Sequence, residues 1–127
     1  MKGHYTETEA ATIRNFVRQL RQERKLALAA LLLSARRDCE AIVAMIVREH
    51  APSRIYQWGS LVHDNHFSQM SDIDLALEGI TDPEKLSAII ASAEKLTRFP
   101  LDLLAIEHLH PAYAEHIRKR GRVVYER

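Results

Sequence analysis

The chain has 127 residues, of which 46% are hydrophobic and 28% are charged, and its formal net charge is +1. These values are ordinary for a soluble globular domain that buries its own core without disulfide or metal staples. The balanced charge gives no general reason to expect nucleic-acid binding, and the longest apolar run, Leu26 to Leu33, is far too short to span a membrane.

The expected compartment follows from two features. The single cysteine, Cys39, has no partner in the chain for a disulfide, which fits a reducing environment. The first residues, Met1 to Tyr5, contain no apolar core of the secretory type. We therefore expect a cytoplasmic protein without a membrane segment.

The N-terminal part of the chain is predicted to be helical from residue 6 to residue 33, with Thr6 or Thr8 as its cap. Its apolar residues follow helical spacing, are interrupted at 23–25 and then resume, so that one long helix and two helices both fit. The stripe consists of Ile13, Phe16, Val17, Leu20, Ala27, Leu28, Leu31 and Leu32.

A basic row lies beside this stripe. Arg14, Arg18, Arg21 and Lys25 fall on one face of the predicted helix. A row of charges is most often a solvated helix face, and we adopt that interpretation. A contact with a partner or with nucleic acid is the alternative.

The rest of the chain alternates between helices and strands. Residues 35–50 form the clearest helix, which places Cys39 in the core and ends at Pro52. Beyond it we predict strands at 54–58, 72–78, about 101–106 and 123–125, a helix that begins at Thr81–Glu84, and a helix at about 109–119 capped by Gly121.

Two acidic residues open the second strand. Residues i and i+2 of a strand point to the same face, so Asp72 and Asp74 stand side by side, about 6–7 Å apart at the backbone. Like charges so placed repel unless a cation lies between them, and hard divalent cations favour carboxylate oxygens. The preceding turn, Gly59-Ser60, can offer backbone N–H groups and a hydroxyl to a phosphate. Together these residues indicate a site for a metal-bound nucleotide phosphate.

The order Gly59-Ser60, an eleven-residue spacer and Asp72-x-Asp74 resembles the signature of nucleotidyltransferases of the DNA polymerase β superfamily, in particular the minimal nucleotidyltransferases. That family uses a third carboxylate on a later strand, and Asp102 stands in a strand-like run that matches it. The end of the chain, residues 117–126, is also similar. The resemblance covers roughly residues 36–127.

The resemblance implies a fold and a domain division. The expected fold class is α/β (α+β), a nucleotidyltransferase fold with a small mixed β-sheet flanked by helices and an added N-terminal helix. Because the family core does not need that helix, we assign residues 1–34 to a helical extension and residues 35–127 to the nucleotidyltransferase domain, within one globular unit.

The resemblance also implies a reaction, in which a nucleoside monophosphate moves to a hydroxyl acceptor and pyrophosphate leaves. The expected nucleotide is ATP or another nucleoside triphosphate, and two Mg²⁺ ions are the expected cofactors. The catalytic and metal-binding residues would be Asp72, Asp74 and Asp102, and the nucleotide-binding residues would be Gly59, Ser60 and Ser71.

The acceptor is implied to lie on another molecule, because the chain is too short to hold an acceptor domain. The family resemblance points to two-protein systems in which the nucleotidyltransferase acts as an antitoxin and places AMP on a tyrosine of a helical, HEPN-type partner. Homo-oligomers are left open. Nucleic acid is not an expected partner.

Two positions depart from the family pattern. Many members carry an Arg soon after Gly-Ser and a second Gly four residues after the Ser, whereas this chain has Leu61 and Asp64 at these places. The spacer is also one residue longer than in many relatives. These differences put the shape of the phosphate loop in doubt, but not the carboxylates.

Other interpretations of the same residues remain. A non-catalytic module that keeps the fold and grips a partner is the main rival, and the missing Arg and Gly favour it. In a purely structural interpretation, Arg or Lys would balance the three carboxylates. Nucleic-acid binding through the helix face of Arg14 has weak support, because no aromatic residues are interleaved with the basic residues. His63 and His66 lie three residues apart, but no Cys or third His is near enough in sequence to indicate zinc.

Overall fold

The computed structural model describes residues 4–62 and 71–127. In these residues three α-helices accompany a four-stranded sheet, and short 3₁₀ turns follow β1 and β3. The elements in chain order are α1 (Glu7–His50), β1 (Arg54–Trp58), β2 (Ile73–Glu78), α2 (Pro83–Glu94), β3 (Leu101–Ala105), α3 (Pro111–Arg120) and β4 (Arg122–Glu126). No helix in this part of the chain combines the length and the apolar character needed to cross a bilayer.

Helix α1 is one continuous helix of 44 residues, about 66 Å long at 1.5 Å per residue. Thr6 caps its start: the Thr6 hydroxyl accepts from the backbone N–H of Glu9, and the Glu9 carboxylate accepts from the N–H of Thr6. The two helical segments expected at 6–33 and 35–50 are therefore joined. No Gly or Pro interrupts the chain between residues 7 and 50, so the helix passes through Ser34 without a break.

The two halves of α1 have different surroundings. In the second half a row of residues is buried against the sheet: Ala35, Cys39, Ile42, Met45 and Ile46. The prediction of Cys39 as a core residue is confirmed, since it is only 5% exposed. By contrast, residues 12–30 are all exposed, so the first half extends beyond the globular body.

The strand order of the sheet is β3-β2-β1-β4. Strand β1 pairs antiparallel with β2 and β4, whereas β2 and β3 are parallel, with α2 as the crossover between them. The Asp82 side chain starts α2 by accepting from the N–H of Glu84, and Pro83 occupies the first turn. The expected mixed sheet flanked by helices is confirmed.

The alternation of the strands sends their side chains to two faces. One face carries Ile55, Leu75 and Leu103 and forms the main core with α1 and α2. On the opposite face, Ala114 and Ile117 of α3 bury Tyr56 and Ala76. This second face also carries the alternate positions of β2 and β3, among them Asp74 and Asp102, so the acidic residues lie on the side of α3 and away from the main core.

Because the first half of α1 lies outside the body, its removal should leave the body intact. We expect a chain that begins at Ala30 to lose less than about 1 kcal/mol of unfolding free energy in urea denaturation. As a control, Ile46→Ala in the buried half should cost about 2–5 kcal/mol, since it leaves a cavity in the core. If the truncated chain were destabilised as much as Ile46→Ala, the first half of α1 would also contribute to the stability of the body, which would contradict this prediction.

Candidate functional site

The register of two parallel strands brings two distant carboxylates together. Asp74 of β2 is the direct partner of Asp102 of β3, and neighbouring strands lie about 4.8 Å apart. Both side chains therefore leave the same face of the sheet. Asp72 precedes β2 by one residue, and its charge is near enough to affect the Asp74 carboxyl. The three predicted acidic residues thus lie near one another at the N-terminal ends of β2 and β3.

Asp74 has the most constrained carboxyl of the three. It is 8% exposed, while Asp72 and Asp102 are half-buried. Burial, followed by the neighbouring charges of Asp102 and then Asp72, raises the pKa of Asp74 from 3.8 to about 6. The three carboxylates therefore act on one another electrostatically.

No basic side chain within residues 4–62 and 71–127 forms an ion pair with Asp72, Asp74 or Asp102. On the same face of the sheet, Glu78 is instead matched by Arg118, at 3.6 Å. The purely structural interpretation, in which Arg or Lys balances the trio, finds no support in this part of the chain. A buried carboxylate that lacks a cation is costly, and a divalent ion would remove this cost.

The trio is open rather than drawn together. Among the described residues, no three His, Cys, Asp or Glu side chains come close enough to hold a metal ion between them. Oxygen donors on adjacent strands, with one carboxyl desolvated, nevertheless fit the chemistry of a hard cation such as Mg²⁺.

Gly59 lies directly against the Asp74 carboxylate. Trp58, the last residue of β1, pairs with Asp74 across the sheet, and Gly59 then turns away with φ +77°. A Cβ at position 59 would overlap Asp74 Oδ2. Position 59 thus requires glycine for two reasons: the backbone has a positive φ, and the carboxylate occupies the space that a side chain would need.

The structure describes the other predicted nucleotide-binding residues only in part. Gly59 to Leu61 form a 3₁₀ turn at the end of β1, but the side chain of Ser60 lies outside the described part of the structure, as do His63 and His66. Ser71 is half-buried immediately before Asp72. At the position where the resemblance expects an Arg, Leu61 is 1% exposed and belongs to the main core.

An aromatic pair stands beside the trio on the same face. Trp58 and Tyr113 meet edge to face, with ring centroids 6.4 Å apart and an interplanar angle of 86°. The indole Nε1–H of Trp58 is buried and has no acceptor among the described residues. This contact was not predicted, because the sequence carries no signal for which helical residue of α3 faces β1.

Comparison with known proteins covers the elements that carry these residues. The family model described as "Polymerase beta, Nucleotidyltransferase" matches residues 40–127. The match includes β1, β2 and β3, and therefore the glycine turn and all three carboxylates. It begins within the buried half of α1 and leaves the exposed half outside. No curated protein sequence matches the chain.

Two solved structures share the fold. A crystal structure described as a toxin-antitoxin with AMP-PNP has a TM-score of 0.58 and 17% identity, over 69% of this chain and 73% of that chain. A mutant of the toxin-antitoxin MntA-HpeT has a TM-score of 0.55 and 18% identity, over 69% of this chain and 72% of that chain. At these identities the similarity concerns the fold.

The raised pKa of Asp74 predicts a pH-dependent stability. The folded state holds a proton on Asp74 between the unfolded pKa of 3.8 and the folded pKa of about 6, so in the metal-free protein this group lowers stability as pH rises through that window. As the pH rises from about 4 to about 7, the unfolding free energy of Asp74→Asn should increase by about 1–2 kcal/mol relative to that of the wild type. The measurement is urea denaturation in the presence of a chelator.

The matched control for this measurement is Glu115→Gln, which removes one charge from an exposed position of α3. Its difference from wild type should stay constant over the same pH range within a few tenths of a kcal/mol. A difference between Asp74→Asn and wild type that does not change with pH would show that the Asp74 carboxyl is not destabilised in the folded state.

The contact between Gly59 and Asp74 predicts that two substitutions are coupled. Gly59→Ala should cost about 2–4 kcal/mol, because it combines backbone strain with an overlap on the carboxylate. In an Asp74→Ala background only the strain remains, and the cost should fall to about 1 kcal/mol. Gly79→Ala, with φ +94° and its own overlap on Ser53, should cost the same in both backgrounds. Additive effects of Gly59→Ala and Asp74→Ala would refute the contact.

Proposed function

The chain belongs to the polymerase β nucleotidyltransferase family, and we propose that it transfers a nucleoside monophosphate from a nucleoside triphosphate to a hydroxyl acceptor. The observation that carries this proposal is the pairing of Asp74 with Asp102, with Asp72 beside them and no matching cation among the described residues. This arrangement leaves a concentrated negative charge, which a structural role does not need.

Asp72, Asp74 and Asp102 would hold Mg²⁺, with two ions as the expected number. When bound, the metal neutralises the triphosphate and stabilises the negative charge that develops during phosphoryl-group transfer. This role explains why Asp74 is desolvated, since a carboxylate in a partly water-excluded site interacts more strongly with a cation.

The chain's own residues would position the nucleotide and accept a proton. The turn at Gly59–Leu61 would offer its backbone N–H groups to a phosphate oxygen. The acceptor oxygen forms a bond to the α-phosphorus while the bond from that phosphorus to the pyrophosphate oxygen breaks. The acceptor proton passes to a carboxylate oxygen of Asp102, which lies at the edge of the trio and is more exposed than Asp74.

We further propose that the nucleotide is ATP and that the acceptor is a tyrosine of a separate helical protein of HEPN type, for which the chain acts as an antitoxin. The similar structures support this, because they are toxin-antitoxin proteins, one of them described with AMP-PNP.

A second candidate is a non-catalytic module that binds a partner. Two observations favour it: the position at which many relatives have an Arg is filled by the core residue Leu61, and the three carboxylates are not drawn together. This module would bind no nucleotide through the trio. The two candidates therefore differ in their response to nucleotide and metal.

We expect Mg²⁺ and ATP together to stabilise the protein in thermal denaturation, and neither alone to do so to the same degree. At a ligand concentration of 100 times Kd the gain should be about 2.7 kcal/mol. Asp74→Ala and Asp102→Asn should abolish the gain, whereas Glu115→Gln on the exposed face of α3 should keep it. The absence of any shift with any nucleoside triphosphate would favour the binding module.

Transfer itself is tested with ATP labelled at one phosphate at a time. With a co-expressed helical partner, label at the α-phosphate should enter the partner and label at the γ-phosphate should leave with pyrophosphate. Substitution of the acceptor tyrosine by Phe should remove the signal. Incorporation of γ-label would indicate a kinase reaction and contradict the proposal, and ligand-induced stabilisation without any transfer would leave only nucleotide binding.

A further inference from the structure

The exposed half of α1, residues 7–30, carries large apolar side chains that belong to neither hydrophobic cluster of the described residues. Within the described residues, the core begins to include α1 side chains only at Leu31 and Leu32. The stripe consists of Ile13, Phe16, Val17, Leu20 and Leu28, with exposures of 43%, 60%, 37%, 46% and 36%. We call this segment the projecting half of α1 and this row its apolar stripe.

The apolar stripe continues the face that packs on the sheet. From Leu28 the same row runs through Leu31 or Leu32, Ala35, Cys39 and Ile42 at steps of three or four residues. Beyond Ala35 the sheet covers this row completely, and before Leu31 nothing in the described structure does. An exposed helix needs polar residues on all faces, so an uncovered row of this kind marks a contact surface.

One edge of the apolar stripe is basic. Arg14, Arg18, Arg21 and Lys25 follow one another at steps of four, three and four residues, which places them in a single row beside the stripe. All four are exposed. A partner that packs on the stripe must face this row, so it must carry acidic residues along the corresponding edge.

A second copy of this chain does not satisfy these conditions. Two projecting halves packed antiparallel would set one basic row against the other, which is a repulsive arrangement along the whole contact. Packed in parallel, the two globular bodies would compete for the same space, because each body occupies this face of α1 from Ala35 onward. The charge row and the position of the body thus argue against self-pairing.

The stripe leads into a groove at the base of the projecting half. A cavity of about 630 Å³ lies between α1 and the segment that joins α2 to β3. Its apolar lining includes Leu31, Leu96 and Phe99. Lys95 and Arg98 add positive charge to it, and its one acidic residue, Asp38, accepts from the Thr97 hydroxyl. Leu96 is itself 40% exposed. This groove offers the end of a bound helix a place against the body, again with basic residues around it.

We infer that the projecting half of α1, together with the groove at its base, is the docking surface for a separate helical protein whose apolar stripe is edged by Asp and Glu. The inference goes beyond the proposed function, because it needs neither nucleotide nor metal. It also assigns a role to a segment that lies outside the match to the nucleotidyltransferase family.

The test uses the full chain and two synthetic probes. Both probes are amphipathic helical peptides of about four heptads with an identical apolar stripe, one edged by Glu and the other by Lys. Fluorescence anisotropy should show the Glu-edged peptide binding at least about tenfold more tightly at low salt, with this advantage reduced at about 0.5 M salt. Equal affinities, or no binding of either peptide, would overturn the inference.

Variants separate the two components of the surface. Leu20→Glu should weaken binding of the Glu-edged peptide at all salt concentrations, whereas Arg14→Gln combined with Arg21→Gln should weaken it mainly at low salt. The matched control is Asn15→Glu combined with Gln22→Glu on the opposite face of α1, which should bind as wild type does. Loss of binding in the control would show that the contact is not confined to the stripe.

Two further outcomes would assign the surface to another occupant and so overturn the inference. A concentration-dependent dimer in sedimentation that Leu20→Glu abolishes would identify a second copy. Strong salt-dependent binding to single-stranded RNA that the arginine variants abolish would identify nucleic acid. Each variant is also measured with Mg²⁺ and ATP: the stabilisation by nucleotide should persist in Leu20→Glu, so that failure of this inference is distinguishable from failure of the proposed catalysis.

Discussion

The parallel register between β2 and β3 is the constraint on which the candidate site depends. It places Asp74 beside Asp102 on one face of the sheet, and it does so because the hydrophobic residues of both strands must face the main core. A slip of one residue in either strand would bury a carboxylate among Ile and Leu side chains. The packing of the core therefore fixes the acidic pair, and the free energy that holds the pair together comes from the opposite face of the sheet.

Gly59 connects this pair to the end of β1. Its missing side chain leaves room for the Asp74 carboxylate, and its positive φ leads the chain from β1 into the 3₁₀ turn at Gly59–Leu61. Helix α3 covers the rest of the same face with Ala114 and Ile117, so that the acidic end of the face is bordered by packed side chains. Glycine therefore occupies position 59, where the Asp74 carboxylate, the turn and the neighbouring strand come into contact.

The sequence predicted the features that depend on the short repeat of a strand or a helix. The alternation of strands predicted Asp72 and Asp74 on one face, although β2 begins only at Ile73. The family resemblance supplied Asp102 as the third carboxylate. The pairing of β2 with β3 depends on long-range packing, so the proximity of Asp74 and Asp102 came from the resemblance and not from local pattern. The continuity of α1 through Ser34 and the contact of Tyr113 with Trp58 were also missed, because neither leaves a periodic signal in the sequence.

Mn²⁺ titration followed by electron paramagnetic resonance shows whether Asp72, Asp74 and Asp102 share bound cations. With a non-hydrolysable ATP analogue present, we expect two tightly bound Mn²⁺ ions per chain in the wild type and at most one in Asp102→Asn. In Asp74→Asn we expect no Mn²⁺ binding that depends on the protein. Mn²⁺ binding that is unchanged by both substitutions, or that is absent from the wild type, would show that the three carboxylates do not share cations.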